Sequence, residues 1–134
     1  MANLKHEAVP VRAAEDVVLI RRMTREWSIA AGFSLVDQTK MVTAASELAR
    51  NMIVHGGGGN VQFEALNSAS RRGLRLTFED QGPGIDDIEW AMRDGQSSKG
   101  GLGLGLGGSK RLVNEFQISS RPGEGTRVCI IRWK

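Results

Sequence analysis

The stretch from Gly73 to Asp87 reads GLRLTFEDQGPGIDD and joins an alternating apolar segment to a glycine-rich turn. Such alternation is typical of a half-buried strand, and one face would carry Leu74, Leu76 and Phe78. We expect the strand to end at Asp80, ahead of Gly82 and Gly84. Gly-Pro-Gly suits an ordinary hairpin-type turn. A second interpretation is a ligand site, because a carboxylate fixed at a strand end can accept a hydrogen bond from an exocyclic amine and glycines let a ligand approach the backbone.

Two helices and a further strand are predicted before this stretch. After a short extended segment, AVPVR, apolar residues at three- and four-residue steps predict a helix over residues 14–31 that is closed by Gly32. Ser34 and Asp37 form a start signal of the capping-box type for a second helix, with Asp in place of Glu. That helix should end at the four glycines 56–59, and the alternating NVQFEAL that follows should be a strand. The apolar positions expected to face the core are Val17, Ile20, Met23, Trp27 and Ala30 in the first helix, Met41, Ala45, Leu48 and Met52 in the second, and Val61, Phe63 and Ala65 in the strand.

The remaining segments complete the predicted order of elements: a short helix over 86–93, irregular structure over 95–103, a third main helix over about 104–116, and strands in QISSR and TRVCIIRW across the turn PGEG. Neighbouring strands joined by short turns indicate a mixed, mostly antiparallel sheet with three main helices on one face. The fold class predicted is a two-layer α/β sandwich.

Composition limits the classes of function. The 134 residues suit a single domain spanning 1–134, with no apolar run long enough for a membrane span and no signal peptide. The single cysteine, Cys129, excludes an internal disulfide, fits the cytoplasm, and is expected to be a buried strand thiol. The net charge is +3, but the basic residues are dispersed among acids, so nucleic-acid binding is disfavoured.

A first polar cluster lies on the second predicted helix, in SELARNMIVHG. Glu47, Asn51 and His55 recur every four residues, so all three fall on one side of the helix. One interpretation is a solvated polar edge. The other is a carboxylate base beside an amide oxygen that ligates Mg²⁺, which prefers oxygen ligands.

A second cluster is the glycine-rich run SSKGGLGLGLGGSKR, ahead of the third main helix. A flexible linker is one interpretation, but linkers do not alternate glycine with leucine. Bare amides at a helix start bind anions such as phosphate. The spacing also satisfies G-x-G-x-x-G, yet no strand of a βαβ unit precedes it, and neither a Walker A loop nor the eukaryotic kinase signatures occur.

Taken in order, E-x-x-x-N on a helix, D-x-G-x-G after a strand and G-x-G-x-G before a helix resemble the N, G1 and G2 boxes of the GHKL superfamily of ATPases and kinases. GEGT, at 123–126, resembles the G-x-G-T that often closes the nucleotide site in that superfamily. The resemblance covers almost the whole chain and implies the Bergerat ATP-binding fold. The sequence is most similar to the anti-sigma-factor serine kinases, and within them to the RsbT-like switch kinases of the stressosome.

This resemblance implies a role for individual residues. Asp80 would bind the adenine amine, with Thr126 acting through water, and Gly82 and Gly84 would let the backbone close over the base. Asn51 would hold Mg²⁺.

The phosphates and the chemistry are assigned in the same way. Gly101, Gly103 and Gly105 would cradle the β- and γ-phosphates, and Glu47 would be the catalytic base. Lys99 would contact phosphate or be a solvated lysine, and His55 would reach a phosphate or favour the helix end.

The function implied is that of an ATP- and Mg²⁺-dependent protein-serine/threonine kinase that phosphorylates a STAS-domain protein and, once released, activates a PP2C-type phosphatase. Alternatives are an anti-sigma factor that sequesters a sigma factor, and a nucleotide-dependent binding module without kinase activity. The presence of Glu47 argues against the last. A fragment of a larger ATPase is disfavoured because the chain ends directly after the last predicted strand.

Overall fold

The computed structural model describes residues 2–85, 88–92 and 105–134, with the side chains of 2–5 and 105 excluded. Within these ranges the chain forms five strands and four helices in the order β1 (Ala2–Val11), α1 (Ala14–Ala30), α2 (Leu35–Gly56), β2 (Gly59–Ser68), β3 (Arg71–Asp80), α3 (Ile88–Ala91), α4 (Gly105–Arg111), β4 (Glu115–Arg121) and β5 (Gly125–Trp133).

The strands form one sheet in the order β1-β2-β3-β5-β4, and every described pairing is antiparallel. Strand β3 therefore lies at the centre, between β2 and β5. The four predicted strands are confirmed, each within a few residues of its expected bounds.

The first strand differs from the prediction. Only AVPVR was expected to be extended, whereas β1 runs over ten residues and pairs with β2 from Ala2 to Val11. Its first half, ANLKH, lacks a strand-like pattern, and it becomes a strand because the free edge of β2 offers backbone partners.

Helices α1 and α2 follow the predicted pattern. Gly32 adopts the left-handed conformation with φ +84°, and the Ser34 hydroxyl accepts a hydrogen bond from the Asp37 backbone N–H, as a helix start requires. The Asp37 carboxylate pairs with Arg132 of β5 at 2.6 Å, and this hydrogen bond holds the pKa of Asp37 below its ordinary value. The start of α2 is thereby fixed to the last strand.

Helix α4 is shorter than predicted. It begins at Gly105, close to the expected start, but it ends at Arg111 and not near Phe116. The backbone N–H of Asn114 donates to Ile131, and the Asn114 side chain accepts from the N–H of Trp133, so β5 draws this segment into β4.

One continuous core separates the helices from the sheet. The expected apolar positions of β2, β3 and α2 face it, and Trp27 of α1 packs on Phe63 with ring centroids 5.6 Å apart. At the end of α1, Ala30 is exposed and Ala31 is buried in its place. The predicted two-layer α/β sandwich is confirmed, and its sheet is antiparallel throughout the described pairs. In the part of the chain described, no helix is both long and apolar enough to cross a membrane.

Candidate nucleotide site

Asp80 is the last residue of the central strand, where three segments meet. It lies opposite Gly59 of β2 and Thr126 of β5. Its Oδ1 atom accepts hydrogen bonds from the backbone N–H groups of Gly82 at 2.9 Å and Thr126 at 3.3 Å. These bonds fix the carboxylate, and the strand ends at Asp80, as predicted.

The two glycines after Asp80 are required by contacts within the protein. A Cβ atom on Gly82 would lie 2.5 Å from Cα of Gly56, at the end of α2. Gly84 has φ +79°, and a Cβ atom there would overlap the backbone carbonyl of Arg121. Close packing of the loop therefore explains both glycines, while clearance for a bound base stays a prediction.

Ser120 of β4 is a residue that the sequence interpretation missed. Its hydroxyl accepts a hydrogen bond from the N–H of Ile85 at 2.8 Å and lies 2.8 Å from the Thr126 hydroxyl and 3.1 Å from the Gly125 carbonyl oxygen. It thus links the loop after Asp80 to Thr126. Only its position could have revealed it from the sequence: the alternation in QISSR places Ser120 on the inner face of the strand, near GEGT.

A second contact ties the same loop to the β4–β5 turn. The backbone N–H of Gly123 donates to the carbonyl oxygen of Pro83 at 2.7 Å. We call residues 80–85 and 120–126, with these bonds between them, the base corner.

Helix α2 carries the polar cluster predicted from four-residue spacing. Glu47 is 3% exposed, Asn51 is half-buried and His55 is exposed, so the row runs from the core to the surface. Within the described residues, the buried Oδ1 atom of Asn51 has no hydrogen-bond partner. A buried amide oxygen without a partner is costly, and its chemistry fits a ligand for a hard cation such as Mg²⁺.

No group of three or more His, Cys, Asp or Glu side chains in 2–85, 88–92 and 105–134 could hold a metal ion by itself. A cation at Asn51 would have room for the phosphates of a nucleotide and for water among its remaining ligands.

The predicted phosphate cradle lies mostly beyond these ranges. Lys99, Gly101 and Gly103 lie outside the described residues, as do Asp86 and Asp87 at the start of the predicted short helix. Gly105 is the first residue of α4, which packs against α2. The base corner and the Glu47–Asn51 row are therefore joined through α2, whose last residue contacts Asp80.

Within the described residues, the α/β sandwich carries a carboxylate and an amide oxygen without a partner on one core helix, and an aspartate fixed at a glycine-rich strand end. This is the arrangement that the resemblance to the GHKL superfamily predicts for a nucleotide-binding domain. Residues 10–132 match the family described as "Histidine kinase-like ATPase domain". The chain belongs to this family, as the resemblance to the GHKL superfamily predicted.

Individual relatives agree with this assignment. The chain is 46% identical over 118 residues to "Serine/threonine-protein kinase RsbT" of Bacillus subtilis, covering 88% of this chain and 89% of the relative. It is 36% identical over 114 residues to "Anti-sigma F factor" of Clostridium kluyveri, covering 77% and 79%. The solved RsbU and RsbW domains of a Mycobacterium tuberculosis protein superpose with a TM-score of 0.65 at 20% identity, covering 96% of this chain and 31% of that one, which supports the fold.

The predicted enzyme class, a protein-serine/threonine kinase, is confirmed, and the domain uses ATP. The roles of individual site residues stay predictions.

Proposed function

We propose that this chain, as a single domain, transfers the γ-phosphate of ATP to a serine of a STAS-domain protein and thereby acts as a switch in a bacterial partner-switching pathway. We further propose that, once released from that protein, it activates a PP2C-type phosphatase. Similarity to the kinase RsbT over most of both chains supports this choice.

The observation that carries the proposal is the row on α2. Glu47 is buried next to the core, and one turn later Asn51 presents an amide oxygen without a described partner. The same helix ends against Asp80. A catalytic base and a cation ligand thus lie on one helix, and the end of that helix packs against the carboxylate proposed to bind adenine. Phosphoryl transfer depends mostly on such positioning and on charge stabilisation.

In this mechanism Glu47 accepts the proton of the attacking serine hydroxyl, and Asn51 holds Mg²⁺. The bound ion would supply charge neutralisation on the phosphates. The Lys99 ammonium group and the amides of Gly101, Gly103 and Gly105 complete the phosphate contacts in the proposal.

At the other end, Asp80 accepts a hydrogen bond from the adenine amine, and Thr126 acts through a water molecule. Ser120 supports this arrangement, since its hydroxyl lies within hydrogen-bond distance of Thr126. A hydroxyl donates a single proton, so Ser120 influences which way the Thr126 hydroxyl points.

The test is Glu47→Gln, assayed with labelled ATP and the STAS-domain proteins encoded beside this chain's gene. Gln nearly conserves the volume of the 3%-exposed side chain but removes the base, so phosphotransfer should fall by about 100-fold or more. The affinity for ATP, measured by calorimetry, should stay within about threefold of wild type.

Glu64→Gln is the matched control. Glu64 is also a buried glutamate, 8% exposed, but it pairs with Arg75 on the opposite face of the sheet. Its replacement should leave phosphotransfer near wild type although it costs stability. Transfer by Glu47→Gln at a rate similar to that of Glu64→Gln would contradict the base assignment.

A second candidate function is sequestration of a sigma factor, because several relatives are named anti-sigma F factors. Co-purification with a sigma factor encoded nearby, lost on adding an unphosphorylated STAS-domain protein, would favour it. A gene neighbourhood with STAS and PP2C proteins and no sigma factor would favour the switch kinase.

A further inference from the structure

The last residue of α2, Gly56, lies directly against the side chain of Asp80. A Cβ atom added to Gly56 would lie 2.5 Å from Oδ2 and 2.8 Å from Cβ of Asp80. Real Cβ atoms do not approach other atoms this closely, so any side chain at position 56 would compete with the carboxylate for the same space.

We propose that Gly56 is a positioning residue for nucleotide recognition: its missing side chain lets the Asp80 carboxylate take the orientation that reads the amine of adenine. This role presupposes the adenine contact proposed above for Asp80.

Rotation of the Asp80 side chain would not relieve the overlap. One of the close contacts is with Cβ of Asp80, whose position is set by the backbone of the central strand. In addition, Oδ1 is held by the N–H groups of Gly82 and Thr126. The Gly56 backbone is also packed closely against Gly82, since a Cβ on Gly82 would lie 2.5 Å from Cα of Gly56.

The backbone gives no other reason for glycine at this position. Gly56 is the final residue of α2 and is not among the positive-φ glycines, whereas its neighbour Gly57 has φ +73° and caps the helix. Alanine is a better helix former than glycine, so helix stability alone would favour alanine at position 56. The space that Asp80 requires is therefore what excludes it.

The experiment measures, by calorimetry, the affinities of wild type, Gly56→Ala and Asp80→Asn for ATP and for purine riboside 5′-triphosphate, which lacks the exocyclic amine. Wild type should prefer ATP by about 10- to 150-fold, the range for a hydrogen bond to a charged group. Both variants should reduce that preference to about threefold or less.

Gly57→Asn is the matched control, because a Cβ at Gly57 meets no atom within 4 Å and Asn tolerates the left-handed conformation. It should keep the wild-type preference. A merely destabilised protein would bind both nucleotides less well without changing their ratio, so the ratio reports on Asp80 alone.

Three outcomes decide the matter. A wild-type preference retained by Gly56→Ala but lost in Asp80→Asn would overturn the role of Gly56 and leave the proposed function intact. Equal affinities in wild type would overturn the adenine contact of Asp80, and the role of Gly56 with it. If Gly56→Ala does not fold, adding Asp80→Gly should restore a cooperative melting transition, and failure to restore it would overturn the assignment.

Discussion

Replacing Asp80 with asparagine should weaken ATP binding while preserving the fold. The carboxylate has two oxygens, and Oδ1 already accepts the N–H groups of Gly82 and Thr126. In the proposed site, Oδ2 would accept the hydrogen bond from the adenine amine. An asparagine amide has a single oxygen, so it can satisfy either the two backbone donors or the adenine amine but not both, and its NH₂ group opposes the remaining donors.

The expected loss of ATP affinity follows from this count of acceptors. If the amide oxygen keeps the backbone bonds, the bond to adenine is lost and a donor faces a donor, which costs about 1.5–3 kcal/mol in binding, or roughly 10- to 150-fold in affinity. The hydrogen bonds to the backbone persist, but they are weaker because their acceptor is no longer charged. The free energy of unfolding should therefore fall by only about 0.5–1 kcal/mol, and the melting temperature by about 2–6 °C.

Calorimetric titration with ATP and a thermal melt provide the two readouts. Glu79→Gln is the matched control, because Glu79 is the adjacent carboxylate, points to the other sheet face and pairs with Arg127 at 3.7 Å. It makes the same change in charge and should bind ATP as wild type does. Wild-type affinity in Asp80→Asn, or an equal loss in Glu79→Gln, would refute the reasoning.

Two further predictions concern α2. Asn51→Ala should leave the melting temperature within about 2 °C of wild type, because the Asn51 oxygen has no hydrogen-bond partner within the described residues. It should nevertheless lower Mg²⁺-dependent phosphotransfer by at least about tenfold. A fully active variant would exclude Asn51 as a cation ligand. Asp37→Asn should make the free energy of unfolding depend less on pH in the acid range. The lowered pKa of Asp37 stabilises the fold above the ordinary value of 3.8, and this contribution is lost as pH falls through the folded-state pKa. Urea melts from pH 2 to 7 would show the difference between variants, about 1 kcal/mol at neutral pH and vanishing in acid, and parallel curves would contradict it.

The fold was predictable wherever a segment's own pattern matched its environment. Val61 and Phe63 in β2 alternate with polar residues, and Met41 and Leu48 in α2 form a stripe, so their burial follows from sequence. β1 and the end of α4 were not predictable in this way. Both are decided by backbone partners distant in the chain: β2 for Ala2–Val11, and β5 for Asn114.

The same distinction holds for the residues of the candidate site. Glu47, Asn51 and Asp80 could be proposed from the sequence because their residue types and spacing carry chemistry, and their roles stay predictions. Ser120 and Gly56 were missed because their contributions come from register and contact: Ser120 lies opposite Thr126 only through the pairing of β4 with β5, and Gly56 meets Asp80 only once α2 is packed on the sheet. A serine in an alternating strand and one glycine among four carry no such signal alone.

The base corner also affects the entropic cost of nucleotide binding. Its loop is held by the N–H of Gly123 on Pro83 and by the N–H of Ile85 on Ser120, so its conformational entropy is lost when the chain folds and not when a nucleotide arrives. If adenine binds here as proposed, it should therefore bind a preformed loop at little further entropic cost. ATP and ADP carry the same base, so the proposed adenine contact would not distinguish between them. In the proposed site, any preference between them, and with it the timing of product release, would arise from the phosphate contacts.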